Sequence, residues 1–290
     1  MNIILKDICK SFKNKAVLNN VNITLSENKI IGLLGNNGSG KTTLMKILSG
    51  LYFLDSGEII NLPMIDSNPD VCAILENPAF INVLTVRDNL KYYIDLKIDS
   101  CMEFDYYCKA FNVDFIDVKY SKLSLGMKQK VAIIYMFLKN SKLILLDEIT
   151  NSLDKRVCNV FYEELKKFVK KNNSYVLISS HKIEELEPIC DIVYFLKNNS
   201  IVKVIELSEY IMKNKKIFRF SNNLDAVKFS KLLNYKVEVK GNDVLLDYVN
   251  NDQLKEIMQK AIIFNHIEIL DDHNSLESIY LQVMDGDNDV

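Results

Sequence analysis

The sequence contains no pair of cysteines separated by two residues, the spacing that many metal sites and redox motifs use. Its six cysteines are spread singly along the chain, at Cys9, Cys72, Cys101, Cys108, Cys158 and Cys190. They stand in apolar or helix-like stretches, so neither a zinc site nor a disulfide framework is expected. We predict thiols without a metal or redox role, in a reducing compartment.

The chain also has little excess charge, with 36 Lys and Arg against 38 Asp and Glu and a net charge of -2. Its basic residues do not gather in one block, so neither a nucleic-acid groove nor a polybasic membrane anchor is predicted. The longest apolar run, Val131 to Leu138, is far shorter than the ~20 residues that a bilayer-spanning helix needs. The N-terminal segment MNIILKDICKSF has no charged start followed by an apolar core, so no signal peptide is predicted.

The order of apolar and amphipathic segments predicts the fold class. A length of 290 residues favours one large domain and one small domain. After two N-terminal strands, Asn2–Ile8 and Val17–Leu25, buried strands alternate with helices. We predict strands at Ile30–Leu34, Leu143–Leu146, Tyr175–Ser179 and Ile192–Leu196, and helices at Lys41–Leu48, Leu125–Leu138 and Lys155–Lys171. This alternation predicts an α/β fold with a mixed, largely parallel sheet and functional residues at its carboxyl edge.

The pattern changes after about Ser208. A basic stretch, Lys213 to Lys216, precedes a strand-like run, Ile217 to Phe220. The remainder predicts strand, helix, two strands, helix and strand, with a short helix around Leu276 to Val283. We therefore predict a large α/β domain at residues 1–207, with a helical subdomain at about 80–138, and a small α+β accessory domain at 208–290.

Residues 35–42 spell GNNGSGKT, a full match to the phosphate-binding loop, or P-loop. Its glycines allow successive N–H groups to turn inward around an anion, and the helix that follows adds its positive end. Lys41 is expected to reach the β- and γ-phosphates, and the Thr42 hydroxyl to bind Mg²⁺. The alternative is a glycine-rich surface turn, but a strand before and a helix after form the context that a P-loop requires. The predicted nucleotide-binding residues are Gly35, Asn36, Asn37, Gly38, Ser39, Gly40, Lys41, Thr42 and Thr43.

A second acidic motif, LILLDE, ends the strand that begins at Leu143. Its strand is apolar throughout and would hold Asp147 near the metal, usually through water. Glu148 stands one residue further, where a carboxylate can orient and deprotonate the attacking water. Apolar strands ending in acidic residues are common, but this one follows a P-loop with a helical region between. Together the two motifs predict an ATP-hydrolysing site that uses ATP and Mg²⁺.

With these motifs the sequence resembles the ATP-binding subunits of the ABC transporter family over residues 1 to about 205. LSLGMKQ at 123–129 resembles the family's signature motif, and NSLD at 151–154 resembles the loop that crosses its dimer interface. His181, after the strand YVLISS, matches the switch histidine. Phe12 lies where an aromatic side chain usually stacks on adenine.

Each of these positions has a simpler explanation by itself. For Phe12 the alternative is core filling, for Ser124 with Gly126 it is a helix cap, and for His181 it is an ordinary surface or core histidine. Their order and spacing favour the functional assignments.

The resemblance implies a site that two subunits share. ATP would lie between the P-loop of one subunit and the signature residues of the other, which are Ser124, Leu125, Gly126 and Met127. Asp154 would help form the dimer interface, Glu148 would act on the water and His181 would stabilise the γ-phosphate. The implied partners are a second ATP-binding subunit, identical or different, and an integral-membrane permease, with no nucleic acid. The protein would be cytoplasmic and peripheral on the inner face of the cell membrane.

At three positions the sequence departs from the family pattern, and two of these departures point to a subgroup of the family. Glu76 replaces the glutamine that normally contacts the metal, Leu125 replaces a glycine, and Ile149 replaces a proline. Glu76 remains a candidate Mg²⁺ ligand because a carboxylate can hold the ion or its water. Glu76 and the SLGMKQ run resemble the subgroup that exports, or confers immunity to, peptide antibiotics such as bacitracin and lantibiotics. The closing run SLESIYLQVMDG is similar to that of drug- and antibiotic-export ATPases, so export of such an amphipathic molecule is implied.

Two other functions remain open on the sequence. The first is a regulatory module that binds ATP without turnover, which the three departures allow and Glu148 with His181 disfavours. The second is an ABC protein acting on ribosomes or DNA. Such proteins usually carry tandem motif sets or a long coiled-coil insertion, and this sequence has neither.

Overall fold

The computed structural model describes residues 1–65, 68–75, 80–94, 102–207, 214–235, 237–248, 251–264, 268–271, 280 and 283. Contacts divide the chain into two compact units, Met1–Val204 and Ile205–Val290. No helix within the described residues is long and apolar enough to cross a bilayer.

The first part of unit Met1–Val204 is mainly β-structure around one short helix. Its elements are β1 (Ile3–Phe12), β2 (Lys15–Leu25), β3 (Ile30–Leu34), α1 (Lys41–Leu48), β4 (Ser56–Ile60), β5 (Met64–Ile65), β6 (Asn68–Pro69) and β7 (Val71–Ile74). β1 pairs antiparallel with β2 and β4, which gives a three-stranded sheet in the order β2-β1-β4. Alternating side chains Ile3 and Leu5 of β1 are buried because this sheet covers one face of the core.

The second part alternates helices and strands. Its elements are α2 (Val86–Ile94), α3 (Met102–Ala110), α4 (Leu125–Lys139), β8 (Leu143–Asp147), α5 (Lys155–Asn172), β9 (Tyr175–Ser180), α6 (Ile183–Leu186), β10 (Ile192–Lys197) and β11 (Ser200–Glu206). Helices α2, α3 and α4 lie within the predicted helical subdomain, and Asn112 turns the chain after α3 with a φ of 51°.

A six-stranded sheet in the order β11-β10-β3-β9-β8-β7 forms the centre of this unit. The neighbouring strands from β10 to β7 are all parallel. Every residue of β3, β8 and β9 is buried, as expected for strands covered on both faces. The predicted largely parallel sheet is confirmed, and the carboxyl ends of these three strands meet at one edge.

Helices α4 and α5 begin and end with recognisable caps. Ser124 Oγ accepts the Met127 N–H at 3.3 Å, and Asp154 Oδ1 accepts the Val157 N–H at 2.9 Å. Both helices end at an asparagine in the left-handed region, Asn140 and Asn173. One face of α5 is buried, through Val157, Phe161, Glu164, Leu165, Phe168 and Val169.

Unit Ile205–Val290 has the β-α-β-β-α-β order predicted from the sequence. Its elements are β12 (Asn214–Arg219), α7 (Asn223–Leu232), β13 (Val237–Lys240), β14 (Asp243–Tyr248), α8 (Asn251–Ala261) and β15 (Glu268–Asp271). The strands form an antiparallel sheet in the order β13-β14-β12-β15. Its core contains Phe218, Phe220, Phe229, Val244, Leu246 and Ile257. Most of the helix predicted around Leu276 to Val283 lies outside the described residues.

Candidate active site

The glycine loop lies between β3 and α1, as predicted. Gly35 sits so close to the backbone that an added Cβ would lie 2.5 Å from Leu196 O. Gly40 has a φ of 111°, and a Cβ there would lie 2.6 Å from Val17 O. Both positions therefore require glycine for close approach, and the loop leads directly into the N-terminal turn of α1, where N–H groups have no partner in the helix.

The Lys41 side chain lies inside this loop. Its side chain is only 5% exposed, and Nζ donates to Gly35 O at 2.6 Å and to Asn36 O at 3.2 Å. Burial lowers the pKa of Lys41, and the nearby carboxylates of Glu148 and Asp147 oppose that shift. A cation held this way strongly favours an anion at the loop.

Asp147 joins the loop to the carboxyl ends of the central strands. Thr42 Oγ1 donates to Asp147 Oδ2 at 2.5 Å, and Ser179 Oγ of β9 donates to Asp147 Oδ1. Asp147 is buried, at 4% exposure. A hydroxyl and a carboxylate of this kind are the oxygen ligands that Mg²⁺ takes from proteins together with phosphate oxygens.

Glu148 turns its carboxylate towards the same loop. Its backbone has a φ of 50°, and its N–H is held by Ser179 O at 3.3 Å. Glu148 Oε1 lies 3.2 Å from His181 Nδ1 and 3.8 Å from Lys41 Nζ. Glu148 Oε2 accepts a hydrogen bond from Asn151 Nδ2 at 2.7 Å. The structure therefore brings the three predicted catalytic side chains together.

A cleft of about 750 Å³ runs along these residues. Phe12 and Tyr52 form part of its wall, with ring centroids 5.4 Å apart in an edge-to-face arrangement. Lys10 Nζ lies 5.4 Å from the centroid of the Phe12 ring. Phe12 is 42% exposed rather than buried in the core, so the core-filling alternative is wrong for this side chain.

The loop and the Asp147 pair fit a nucleotide with its metal. Ser39 Oγ is buried and has no hydrogen-bond partner within the described parts of the chain, so a phosphate oxygen would satisfy it. The donors at the loop are N–H, hydroxyl and ammonium groups, which suit phosphate. The Thr42 and Asp147 oxygens suit a hard divalent cation.

The predicted signature residues surround the start of α4. Leu125 is 50% exposed and lines the cleft of its own chain, whereas Ser124 caps α4 through Met127 N–H. An added Cβ on Gly126 would lie 2.6 Å from Ser152 O, so α4 packs directly against the loop after β8. Their contacts with a second subunit stay a prediction.

Two predicted residues stand apart from these contacts. Asp154 caps α5, which gives this side chain a structural role of its own. Glu76, the third candidate metal ligand, lies outside the described residues.

Sequence patterns did not single out several residues that line the cleft. Tyr52, Gln129 and Asn151 all face it, and Ser179 anchors Asp147. For Gln129 and Asn151 a signal was present, because Gln129 is the last residue of the LSLGMKQ motif and Asn151 is the first residue of the NSLD motif. Tyr52 follows a helix in a loop, and nothing local predicts that its ring meets Phe12.

Comparisons with known proteins give the chain its family. Residues 18–151 match the family described as ABC transporter. YdbJ of Bacillus subtilis, an uncharacterized ABC transporter ATP-binding protein, is 31% identical over 70% of this chain and 68% of its own. The lantibiotic transport ATP-binding protein SrtF of Streptococcus pyogenes is 32% identical over 68% of this chain and 88% of its own. The bacitracin transport ATP-binding protein BcrA of Enterococcus faecalis is 30% identical over 74% of this chain and 72% of its own.

A solved structure supports the fold. The dimeric post-hydrolysis state of the ATP-binding cassette MJ0796, bound to ADP and Pi, matches with a TM-score of 0.61 and 23% identity. The match covers 71% of this chain and 98% of that one. By sequence and fold, the chain belongs to the ABC transporter family, as an ATP-binding subunit and an ATPase of the ABC type.

Proposed function

We propose that this protein hydrolyses ATP to power a separate membrane permease, which exports a peptide antibiotic, a drug or a similar amphipathic molecule. One observation carries the catalytic part of the proposal. Glu148 stands 3.2 Å from His181 and 3.8 Å from Lys41, beside the P-loop and at the edge where the parallel strands end. A base, a switch group and a phosphate-binding cation therefore act on one bound nucleotide.

The side chains divide the chemistry between them. The P-loop N–H groups and Lys41 bind the phosphates, and Phe12 stacks on the base. Thr42 and Asp147 hold Mg²⁺, which neutralises phosphate charge when it is bound. Glu148 takes a proton from the attacking water, and His181 donates to the γ-phosphate as negative charge shifts onto the leaving oxygens.

A second subunit completes the site in this proposal. Ser124, Leu125, Gly126 and Met127 of one subunit would contact the nucleotide on the other, and Asp154 would lie at the interface. The dimeric form of MJ0796 supports this arrangement. ATP binding would then close two subunits together, and hydrolysis would release them.

The transport part of the proposal draws on the relatives. SrtF and BcrA are described as transport ATP-binding proteins for a lantibiotic and for bacitracin. We propose the same class of cargo here, with the permease forming the pathway and this chain on its cytoplasmic side. Glu76 is expected to act near the permease contact and the metal.

Steady-state ATP hydrolysis by the purified chain tests the proposal, with Glu148→Gln as the key variant. Removing the base should lower kcat by about 100-fold or more while ATP binding is retained. Glu163→Gln is the matched control, because Glu163 is an exposed carboxylate on α5. Its rate should equal that of the wild type.

Two results would contradict parts of the proposal. A wild-type rate in Glu148→Gln would remove Glu148 as the base. Tight ATP binding without turnover, with or without membranes that contain a candidate permease, would favour the regulatory module. Stimulation of turnover by those membranes is the expected result.

A further inference from the structure

Asn151 holds the second oxygen of the Glu148 carboxylate. Asn151 Nδ2 donates to Glu148 Oε2 at 2.7 Å, a short bond to a charged acceptor. The other carboxylate oxygen, Oε1, faces His181 and Lys41. The Asn151 amide therefore holds the carboxylate by a hydrogen bond to Oε2, while Oε1 points to the loop where the phosphates would bind.

The local backbone places Asn151 there. Residues 148–151 form a tight turn in which Asn151 N–H donates to Glu148 O at 3.3 Å. Glu148 adopts a φ of 50° at the start of this turn, so its side chain leaves the strand direction and meets Asn151. The close approach of Gly126 to Ser152 O packs the turn against α4.

The other neighbours of Glu148 are less suited to fixing its orientation. Lys41 already donates to Gly35 O and Asn36 O, and in the proposed function its ammonium binds phosphate. His181 approaches Oε1, the same oxygen that faces the reacting water. Among the contacts described for Glu148 Oε2, the amide of Asn151 is the neutral donor.

We propose that Asn151 is a positioning residue for ATP hydrolysis: its amide holds Glu148 by Oε2 and so keeps Oε1, which also contacts His181 and Lys41, turned towards the phosphate loop to accept the proton of the attacking water. This inference rests on the proposed role of Glu148. Asn151 itself neither gains nor loses a proton in the reaction.

Two substitutions separate the donor from the shape of the side chain. Asn151→Ala removes the amide and should lower kcat by about tenfold, with KM for ATP changed less than about twofold. Asn151→Asp keeps the shape but replaces the donor with a second carboxylate next to Glu148. Its kcat should be lower still, which gives the order Asn, Ala, Asp.

Asn112→Asp is the control for the added charge, because Asn112 is exposed in the turn after α3 and does not line the active-site cleft. Its kcat should equal that of the wild type. In the Glu148→Gln background, Asn151→Ala should cause no further loss, because a positioning residue has nothing left to position. A purely structural role would instead lower both backgrounds by the same factor.

The outcomes distinguish this inference from the function on which it rests. If Glu148→Gln is inactive but Asn151→Ala and Asn151→Asp both turn over as the wild type does, the positioning role is wrong and the base assignment stands. An active Glu148→Gln contradicts both. If Asn151→Ala and Asn151→Asp lower kcat equally, and Asn151→Ala lowers it by the same factor in the Glu148→Gln background, the positioning role is also wrong.

Discussion

Burial of the charged Lys41 side chain has a free-energy cost, which is seen in its lowered pKa. Its pKa is lowered because burial removes the ammonium from water, and the attraction of Glu148 and Asp147 offsets this only in part. A lysine whose pKa is lower in the folded state destabilises the fold at every pH below that folded value. The cost disappears as the pH rises above the unfolded value. The ionisation of Lys41 therefore costs stability in the free protein, and in the proposed function this cost is offset when phosphate binds.

This argument predicts opposite effects of Lys41→Met on stability and on binding. At pH 7 and without nucleotide, the free energy of unfolding should stay within about 1 kcal/mol of the wild type or rise, because a buried charge is replaced by an apolar chain of similar length. ATP affinity should fall by at least about tenfold, because charged hydrogen bonds to phosphate are lost. Urea unfolding and titration calorimetry measure the two effects.

Lys203→Met, at an exposed position on β11, should change neither quantity. Loss of several kcal/mol in the nucleotide-free Lys41→Met protein would show that the ammonium supports the fold. Unchanged ATP affinity would contradict its role in the loop.

At the scale of elements, the contact between α4 and the loop after β8 connects the predicted signature segment to Glu148, the proposed base, of the same chain. A Cβ on Gly126 would lie 2.6 Å from Ser152 O, and a backbone oxygen cannot move aside as a flexible side chain can. The loop also carries Glu148 at its start and Asp154 at its end. Displacing it would therefore disturb the proposed base, Glu148, and the cap of α5 together.

Gly126→Ala should accordingly cost about 1–3 kcal/mol of stability and lower kcat. Lys130→Ala, a half-buried position on the same helix, is the matched comparison and should have a smaller effect on both. Urea unfolding and steady-state ATPase rates check the prediction. A Gly126→Ala enzyme that equals the wild type in both would show that α4 and the loop separate without cost.

The buried elements were predictable because their sequence signals are local. The strand Ile30–Leu34 and the helix Lys41–Leu48 have the predicted bounds, because a wholly apolar run and a P-loop leave few alternatives. β4, β7 and β11 were missed. β7 (VCAI) is apolar but only four residues long, and β4 and β11 lie at sheet edges and mix polar with apolar residues, so they give no clear period.

The active site was predictable only in part, for a similar reason. Lys41, Thr42, Asp147 and Glu148 belong to motifs with fixed spacing. The contact between Tyr52 and Phe12 was not predictable, because the two residues are 40 positions apart in the sequence. Their pairing depends on how β1 and the loop after α1 pack. The domain boundary at 207 and the roles of the site residues remain predictions.

At the scale of the whole molecule, the described residues of each unit include a hydrophobic core of its own. The core of Met1–Val204 includes Ile31, Leu44 and Leu145, and the core of Ile205–Val290 gathers around Phe229. The Phe229 ring lies 5.3 Å from Phe218 and 5.0 Å from Phe220. Truncating such a side chain removes buried apolar contacts and leaves a cavity, and both effects destabilise a small core.

Phe229→Ala should therefore destabilise its own unit by about 3–5 kcal/mol, a large share of the total for a unit of this size. Hydrogen exchange should accelerate across β12, α7 and β14, while β3 and β8 keep wild-type protection, because opening follows cooperative units that each have a core. Leu224→Ala, 66% exposed on the same helix, should leave both regions unchanged. Equal acceleration in β3 and β12 would mean that the chain opens as one cooperative body, in which case the second core would contribute directly to the stability of the ATPase site.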